Sequence, residues 1–279
     1  MIISEVTAQR VLNPTSIDLG EFVINPYKGC EFNCLYCYAR FTKSVSNDPR
    51  NWGEYVDVRI NSPELLEKEL CKKKPARVLL GSTTECFQPA ERHYRLTCRI
   101  LEILNRNGIY YSILTRSPLI KEYTSLLAQG LCERIYFTVN NYSNDIKRLL
   151  EPLSPSVYQR VAVIRHLQDN SIPVTGYYSP VLPYVFNARE ALSELKDIKN
   201  IEFEGLNFNL GNINEVIKSV DSLFPGLSDT YALMRNDLRV YNQVWGEIKS
   251  SITKAAHESG RETSIFVHGL NAYFQNKYR

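Results

Sequence analysis

Three cysteines, Cys30, Cys34 and Cys37, fall within eight residues, four and three positions apart. Thiolates at that spacing, on a loop just after a predicted strand, can converge on one small inorganic core. A zinc site would normally recruit four N or S ligands through paired knuckles. No second knuckle or His pair exists here, because His93, His166, His257 and His268 stand isolated in the sequence. An iron–sulfur cubane normally takes four cysteines. Three ligands would leave one iron open, much as a catalytic zinc keeps an open position. An open iron at the mouth of a parallel sheet is a place to bind and activate a small molecule. Cys71, Cys86, Cys98 and Cys132 are scattered, and an odd total of seven argues against a disulfide framework. Cys71, Cys98 and Cys132 read as small buried hydrophobes.

The elements that must position this triplet can be drawn from hydrophobic periodicity. Short β-branched or aromatic runs predict strands over residues 21–27, 77–82, 109–114, 134–139, 172–178 and 201–209. Helical spacing lies between them. Leu96, Ile100, Ile103 and Leu104 share one face, and Val157, Val161 and Ile164 another. Pro63 and Pro118 suit the first turn of a helix, while Asn107-Gly108 and Gln129-Gly130 close helices just before strands. Six strand–helix units imply a parallel sheet with helical crossovers, short of the eight of a full barrel. Periodicity leaves a partial barrel and a doubly wound sheet both open. Residues 1–20 form a weakly patterned leader, residues 44–51 a polar loop, and residues 228–259 one long helix or two short ones, with an apolar run after them at 264–267. The reading is of a leader at 1–20, a barrel core at 21–210 and a helical C-terminal extension at 211–279 packed on it.

Composition bounds the class. With 279 residues, 44% hydrophobic and 23% charged, the chain is globular, and disorder is excluded. No run approaches the roughly 18 apolar residues of a membrane span. The start Met1-Ile2-Ile3-Ser4-Glu5 lacks a signal-peptide pattern, so the expected location is the cytoplasm. Thirty-three Lys and Arg against 30 Asp and Glu leave a net charge of +3, which neither demands nor forbids a nucleic-acid partner. The run Lys72-Lys73-Lys74-Pro75-Ala76-Arg77 reads first as a solvated helix end. Tyr177, Tyr178 and Tyr184 fit β-strand packing better than base stacking.

Cys-x3-Cys-x2-Cys with an aromatic residue before the last Cys resembles the signature of the radical S-adenosylmethionine (SAM) superfamily. The resemblance extends to its spore photoproduct lyase-related branch, called DNA repair photolyase-like. It rests on Asn25-Pro26-Tyr27-Lys28-Gly29-Cys30, Cys34-Leu35-Tyr36-Cys37-Tyr38-Ala39-Arg40, residues 58–66, Gln88-Pro89-Ala90-Glu91 and Leu150-Glu151-Pro152, across roughly residues 20 to 186. It implies a partial (β/α)6 TIM-type barrel and a 4Fe-4S cluster on Cys30, Cys34 and Cys37. The open iron would be chelated by the amino and carboxylate groups of SAM. Reductive cleavage would then give a 5′-deoxyadenosyl radical that abstracts hydrogen from a substrate, in a lyase or oxidoreductase reaction. It further implies an electron donor such as flavodoxin or ferredoxin.

Carried over position by position, the resemblance sets Tyr36 against the adenine and Thr84 on the SAM amino or carboxylate group. Arg116 would pair the carboxylate with its fork. Thr138 and Asn140 would touch the ribose, and Ser179 would lie near the adenine. True spore photoproduct lyases carry a hydrogen-donating cysteine where Ser82 stands, and a serine O–H is a poor donor to a carbon radical. Cys86 replaces that thiol only if its loop folds inward. Ser82, Cys86 and Tyr38 are the catalytic candidates, and reversal of a thymine lesion is not the expected reaction. The substrate is expected to be a nucleotide, a nucleic acid or a small biosynthetic metabolite. No second cysteine cluster comes after Cys37 to hold an auxiliary iron–sulfur centre. The alternative is a non-enzymatic iron–sulfur or zinc-binding protein.

Overall fold

The structure, a computed structural model, describes residues 1–270. Its strands are β1 (Ile2–Val6), β2 (Asn13–Pro14), β3 (Phe22–Ile24), β4 (Tyr27–Gly29), β5 (Tyr55–Arg59), β6 (Arg77–Leu80), β7 (Tyr110–Thr115), β8 (Cys132–Thr138), β9 (Val174–Val181), β10 (Asn200–Gly205) and β11 (Glu262–Phe266). Its helices are α1 (Lys43–Ser46), α2 (Ser62–Leu70), α3 (Glu91–Tyr94), α4 (Leu96–Arg106), α5 (Thr124–Leu127), α6 (Asn144–Leu150), α7 (Val157–Asp169), α8 (Ala188–Glu194), α9 (Ile213–Asp221), α10 (Leu227–Asn236) and α11 (Leu238–Glu258). The described residues divide into two compact units, one of Met1–Thr138 with Leu153–Thr175, the other of Val139–Pro152 with the described residues from Gly176 onward.

In the first unit β3, β6, β7 and β8 are parallel neighbours in that order, with β2 antiparallel on the outer side of β3. Phe22, Val23, Ile24 and Val78, Leu79, Leu80 are buried without alternation, as strands covered on both faces require. The single strand expected over residues 21–27 is two. Pro26 has no N–H to continue a ladder, so β3 ends at Ile24. Tyr27–Gly29 then joins a separate sheet of order β1-β5-β4. The leader is likewise structured, since β1 pairs in parallel with β5 from Ile2↔Tyr55 to Val6↔Arg59.

Helix α4 buries Leu96, Ile100, Ile103 and Leu104 as its spacing predicts. Helix α7 departs from expectation: its buried stripe is Arg160, Val163, Ile164 and Leu167, with Val157 and Val161 only half-buried. An arginine in the stripe disguised the phase. Cys98 and Cys132 are buried as expected, whereas Cys71, at the end of α2, is exposed.

The 44–51 segment is not a free polar loop. It begins in α1, and Asp48 and Arg50 tie it down: Lys28 Nζ lies 2.5 Å from Asp48, and Arg50 reaches both Asp48 and Asp57 at 2.8 Å. The Arg50 guanidinium also lies 3.9 Å from the Tyr55 ring centroid.

In the second unit β9, β10 and β11 are parallel, in register Ile201↔Gly176 and Phe203↔Ile265. Residues 228–259 form two helices, α10 and α11. Asp237 separates them in an extended conformation, and its carboxylate caps α11 through the Arg239 amide. The apolar run at 264–267 forms most of β11, a strand within the stretch read as helical. Tyr178, Phe186 and Phe203 pack as an aromatic core, so Tyr178 is a packing residue, while Tyr184 is exposed. Among the described residues no helix is long and apolar enough to cross a membrane.

Candidate functional site

The cysteine loop leaves β4 through Gly29, whose φ of +88° suits glycine; a Cβ there would stand 2.3 Å from the Tyr55 carbonyl oxygen. Cys30 and Cys34 are buried and Cys37 is half-buried, and none is in a disulfide. The Cys37 amide donates to the Cys34 carbonyl at 3.3 Å, drawing the second and third thiols onto one turn. Cys34 Sγ lies 3.6 Å from Ser154 Oγ. Burial, then Cys34 and Cys37, push the Cys30 thiol well up. Burial and then Cys34 push Cys37 up to about 11, against the charges of Arg116 and Arg40. Cys34 and Cys37 thus both lie close enough to Cys30 to act on it. Among the described residues no three His, Cys, Asp or Glu side chains are placed to hold one metal ion. In a cubane each thiolate meets its own iron, and three thiols on one loop fit such a cluster with one ligand position over.

Beside this loop stand the ends of β6 and β7. The turn after β6 needs Gly81 (φ +84°), where a Cβ would meet the Leu114 carbonyl oxygen at 2.5 Å. Asn25, at the end of β3, fixes the two residues after that glycine: its Nδ2 donates to Ser82 Oγ at 3.2 Å and its Oδ1 accepts from the Thr83 amide at 3.1 Å. Tyr38 is 46% exposed and donates its hydroxyl hydrogen to the Ser82 carbonyl. Thr84 donates to the Gly29 carbonyl at 2.6 Å, and its oxygen accepts from Gln88 Nε2 at 3.4 Å. Arg116 Nη1 donates to the Tyr36 hydroxyl at 2.9 Å, its guanidinium 5.8 Å from the Tyr36 ring centroid.

Glu85 joins the two strand ends. Its buried carboxylate accepts from Thr115 Oγ1 at 2.6 Å, the Phe87 amide at 3.0 Å and the Arg116 amide at 2.9 Å. Burial pushes this carboxyl up, against those hydrogen bonds and the Arg116 charge. Cys86 is completely buried; burial, then Glu85 and Glu91, push its thiol far up. Glu91, from the Gln88-Pro89-Ala90-Glu91 motif, is also fully buried. It accepts from the Tyr27 hydroxyl, the Tyr123 hydroxyl at 2.8 Å, and the Thr97 and Cys98 amides at 3.0 and 3.1 Å, which opens α4.

In the second unit the C-terminal ends of β9, β10 and β11 carry a separate polar group. Asn140 Oδ1 accepts from the Ser179 amide at 2.7 Å, and its Nδ2 donates to the Ser179 carbonyl at 2.6 Å and to Glu151 at 2.7 Å. Ser179 Oγ donates to Glu204, whose other oxygen lies 3.0 Å from His268 Nε2. Burial would raise the Glu204 carboxyl, but the hydrogen bonds from His268 and Ser179 and the His268 charge hold it below its ordinary value.

A family model for the radical SAM superfamily matches residues 24–197. The chain belongs to that superfamily. This radical SAM protein is 32% identical over 206 residues to an uncharacterized protein of Methanocaldococcus jannaschii, over 74% of this chain and 78% of that one. It is 28% identical over 201 residues to an uncharacterized protein of Mycobacterium bovis, over 68% of this chain and 59% of the relative. Its fold is similar to a spore photoproduct lyase double variant with bound AdoMet and dinucleoside spore photoproduct, with a TM-score of 0.69 at 13% identity over 95% of this chain and 82% of that one. That likeness is one of fold, the α/β partial barrel of the radical SAM kind.

Of the residues singled out in the sequence, this radical SAM chain brings together Cys30, Cys34 and Cys37, Tyr36 with Arg116, Tyr38 with Ser82, and Asn140 with Ser179. Thr138 is buried at the end of β8. Cys86 is fully buried. Asn25, Arg40, Glu85, Glu204 and His268 were missed as site neighbours, and His268, isolated in sequence, is paired with a carboxylate 64 positions away. The one available signal was position, and only for Glu85, which stands just past the strand predicted over 77–82, where ligands gather in such folds; Glu204 fell within the strand predicted over 201–209 and reaches an end only because β10 stops at Gly205.

Proposed function

We propose that this protein reductively cleaves SAM at a 4Fe-4S cluster held by Cys30, Cys34 and Cys37 and abstracts hydrogen from a nucleotide, nucleic-acid or small-metabolite substrate. The observation that carries the reading is the gathered thiol triplet with the Tyr36–Arg116 pair beside it. When bound, the cluster supplies the electron that breaks a carbon–sulfur bond of SAM, giving methionine and the 5′-deoxyadenosyl radical. Tyr36 packs against the adenine. Arg116, oriented by its bond to Tyr36, offers its fork to the SAM carboxylate. Thr84 has given its hydrogen to Gly29, so its oxygen presents only an acceptor, which suits the amino group of SAM rather than the carboxylate. Thr138 and Asn140 are assigned to the ribose, and Ser179 to the adenine side. The electron comes from a flavodoxin- or ferredoxin-type donor.

Return of hydrogen to a thymine radical does not suit this chain. Ser82 stands at the donor position with its oxygen accepting from Asn25, and the Cys86 thiol is shut away. Tyr38, half-exposed with its phenol at the Ser82 carbonyl, is the catalytic candidate these contacts favour. Anaerobic reconstitution tests the reading. About four irons per chain and 5′-deoxyadenosine formed under reduction are expected; occupancy by zinc alone with no SAM cleavage would overturn it.

A further inference from the structure

Arg40 closes the cysteine motif and has no part in the reading above. It lies half-buried in the 3-10 turn Tyr38–Phe41, its amide bonded to the Cys37 carbonyl at 3.3 Å. Its guanidinium folds back over the loop: Nε donates to the Cys34 carbonyl at 3.3 Å, and Nη2 donates to Asn33 Oδ1 at 2.9 Å. Asn33 is a fixed partner. It holds the left-handed conformation (φ 47°), and Gly53 backs it so closely that a Cβ there would fall 2.1 Å from Asn33 Cγ. The Cys34 carbonyl thus takes two donors, the Cys37 amide and the guanidinium. A cation is anchored on the peptide that links two thiols instead of extending into solvent.

We propose that Arg40 sets the reduction potential of the cluster, on the reading that Cys30, Cys34 and Cys37 hold one. One electron from an external donor would add a negative charge to a centre that the three thiolates would already make anionic. A fixed cation nearby is attracted more strongly to the reduced centre than to the oxidised one, so it raises the potential. Net charge and hydrogen bonding around the sulfurs are the established controls on such potentials. A half-buried charge is screened less by salt than a surface one. Arginine stays protonated at every working pH, so the contribution does not titrate. Arg116 belongs to the SAM carboxylate, whereas Arg40 turns back onto the ligand loop.

The test is redox titration of the reconstituted protein followed by electron paramagnetic resonance, without SAM or substrate. Arg40→Gln should lower the potential by about 59 mV or more, a tenfold change in the equilibrium constant for one electron. Arg40→Lys, which keeps the charge and loses the fork, should stay near wild type. A pure loop clamp would make the two variants behave alike, and that result, or an unchanged potential in Arg40→Gln, would overturn the proposal. If Arg40→Gln takes up too little iron to titrate, Arg40→Met decides, because it keeps the aliphatic stem and removes the charged head. A lowered potential there supports the proposal, and a wild-type potential rejects it. A wild-type protein that takes up no cluster would instead sink the underlying assignment of the three cysteines.

Discussion

Arg116 Nη1 donates to the hydroxyl of Tyr36 at 2.9 Å, joining two side chains eighty positions apart. One enters from the cysteine loop and the other from the end of β7. The bond orients the guanidinium before any ligand arrives. Arg116→Ala should therefore weaken SAM binding about tenfold to a hundredfold, the range of hydrogen bonds to charged groups, while iron content and cluster absorbance stay unchanged. Arg116→Lys should recover only part of the loss, since a point charge cannot reproduce bidentate geometry. Equilibrium dialysis with SAM checks both, and equal affinity in Arg116→Ala and wild type would reject the assignment.

Glu91 answers four buried donors with one carboxylate. In Glu91→Gln the amide nitrogen must face at least one of them, leaving a donor against a donor. The expected cost is about 2–4 kcal/mol of unfolding free energy, read from urea denaturation of the metal-free protein. A change below about 0.5 kcal/mol, the scale of an innocuous surface substitution, would show that the donors find other partners.

Glu204 gives a pH dependence with a definite sign. Its carboxyl is held below its ordinary value in the folded protein. Its contribution to stability is therefore fully present above the unfolded carboxylate's pKa and is lost as pH falls through the lower folded value. Urea midpoints measured from neutral pH downward should fall less steeply in Glu204→Gln than in wild type. Identical acid limbs would mean the pair with His268 is not formed.

The unmodified protein is expected to cleave SAM yet fail to restore spore photoproduct to two thymines. Ser82→Cys should gain some repair if the lesion fits. Product analysis by mass spectrometry decides, and efficient repair by the wild-type chain would move the donor role to Tyr38 or Cys86.

The strand–helix alternation could be read from the sequence because parallel strands buried on both faces are continuous apolar runs, as in Phe22–Ile24 and Val78–Leu80. The cysteine triplet was readable because its chemistry is local. The contacts that escaped were assembled across distance. Glu85 looks like any acid at a strand end until Thr115 and Arg116, from the next strand, close on it. Strand β1 escaped because an edge strand needs little apolar patterning, and Arg160 hid the phase of α7 by standing where an aliphatic residue was expected.

The loops after β4 and β6 fasten each other through their own side chains and amides. Thr84 holds the Gly29 carbonyl, Gln88 receives the Glu31 amide at 2.9 Å, and Glu31 in turn receives the Ala90 amide at 2.7 Å. The cysteine loop and the strand-end loop are thus clasped at three points, so a change on one side should be felt on the other. In Gln88→Ala the Glu31 and Ala90 amides should both exchange with deuterium faster than in wild type, and an unchanged Ala90 rate would show that the clasps act separately.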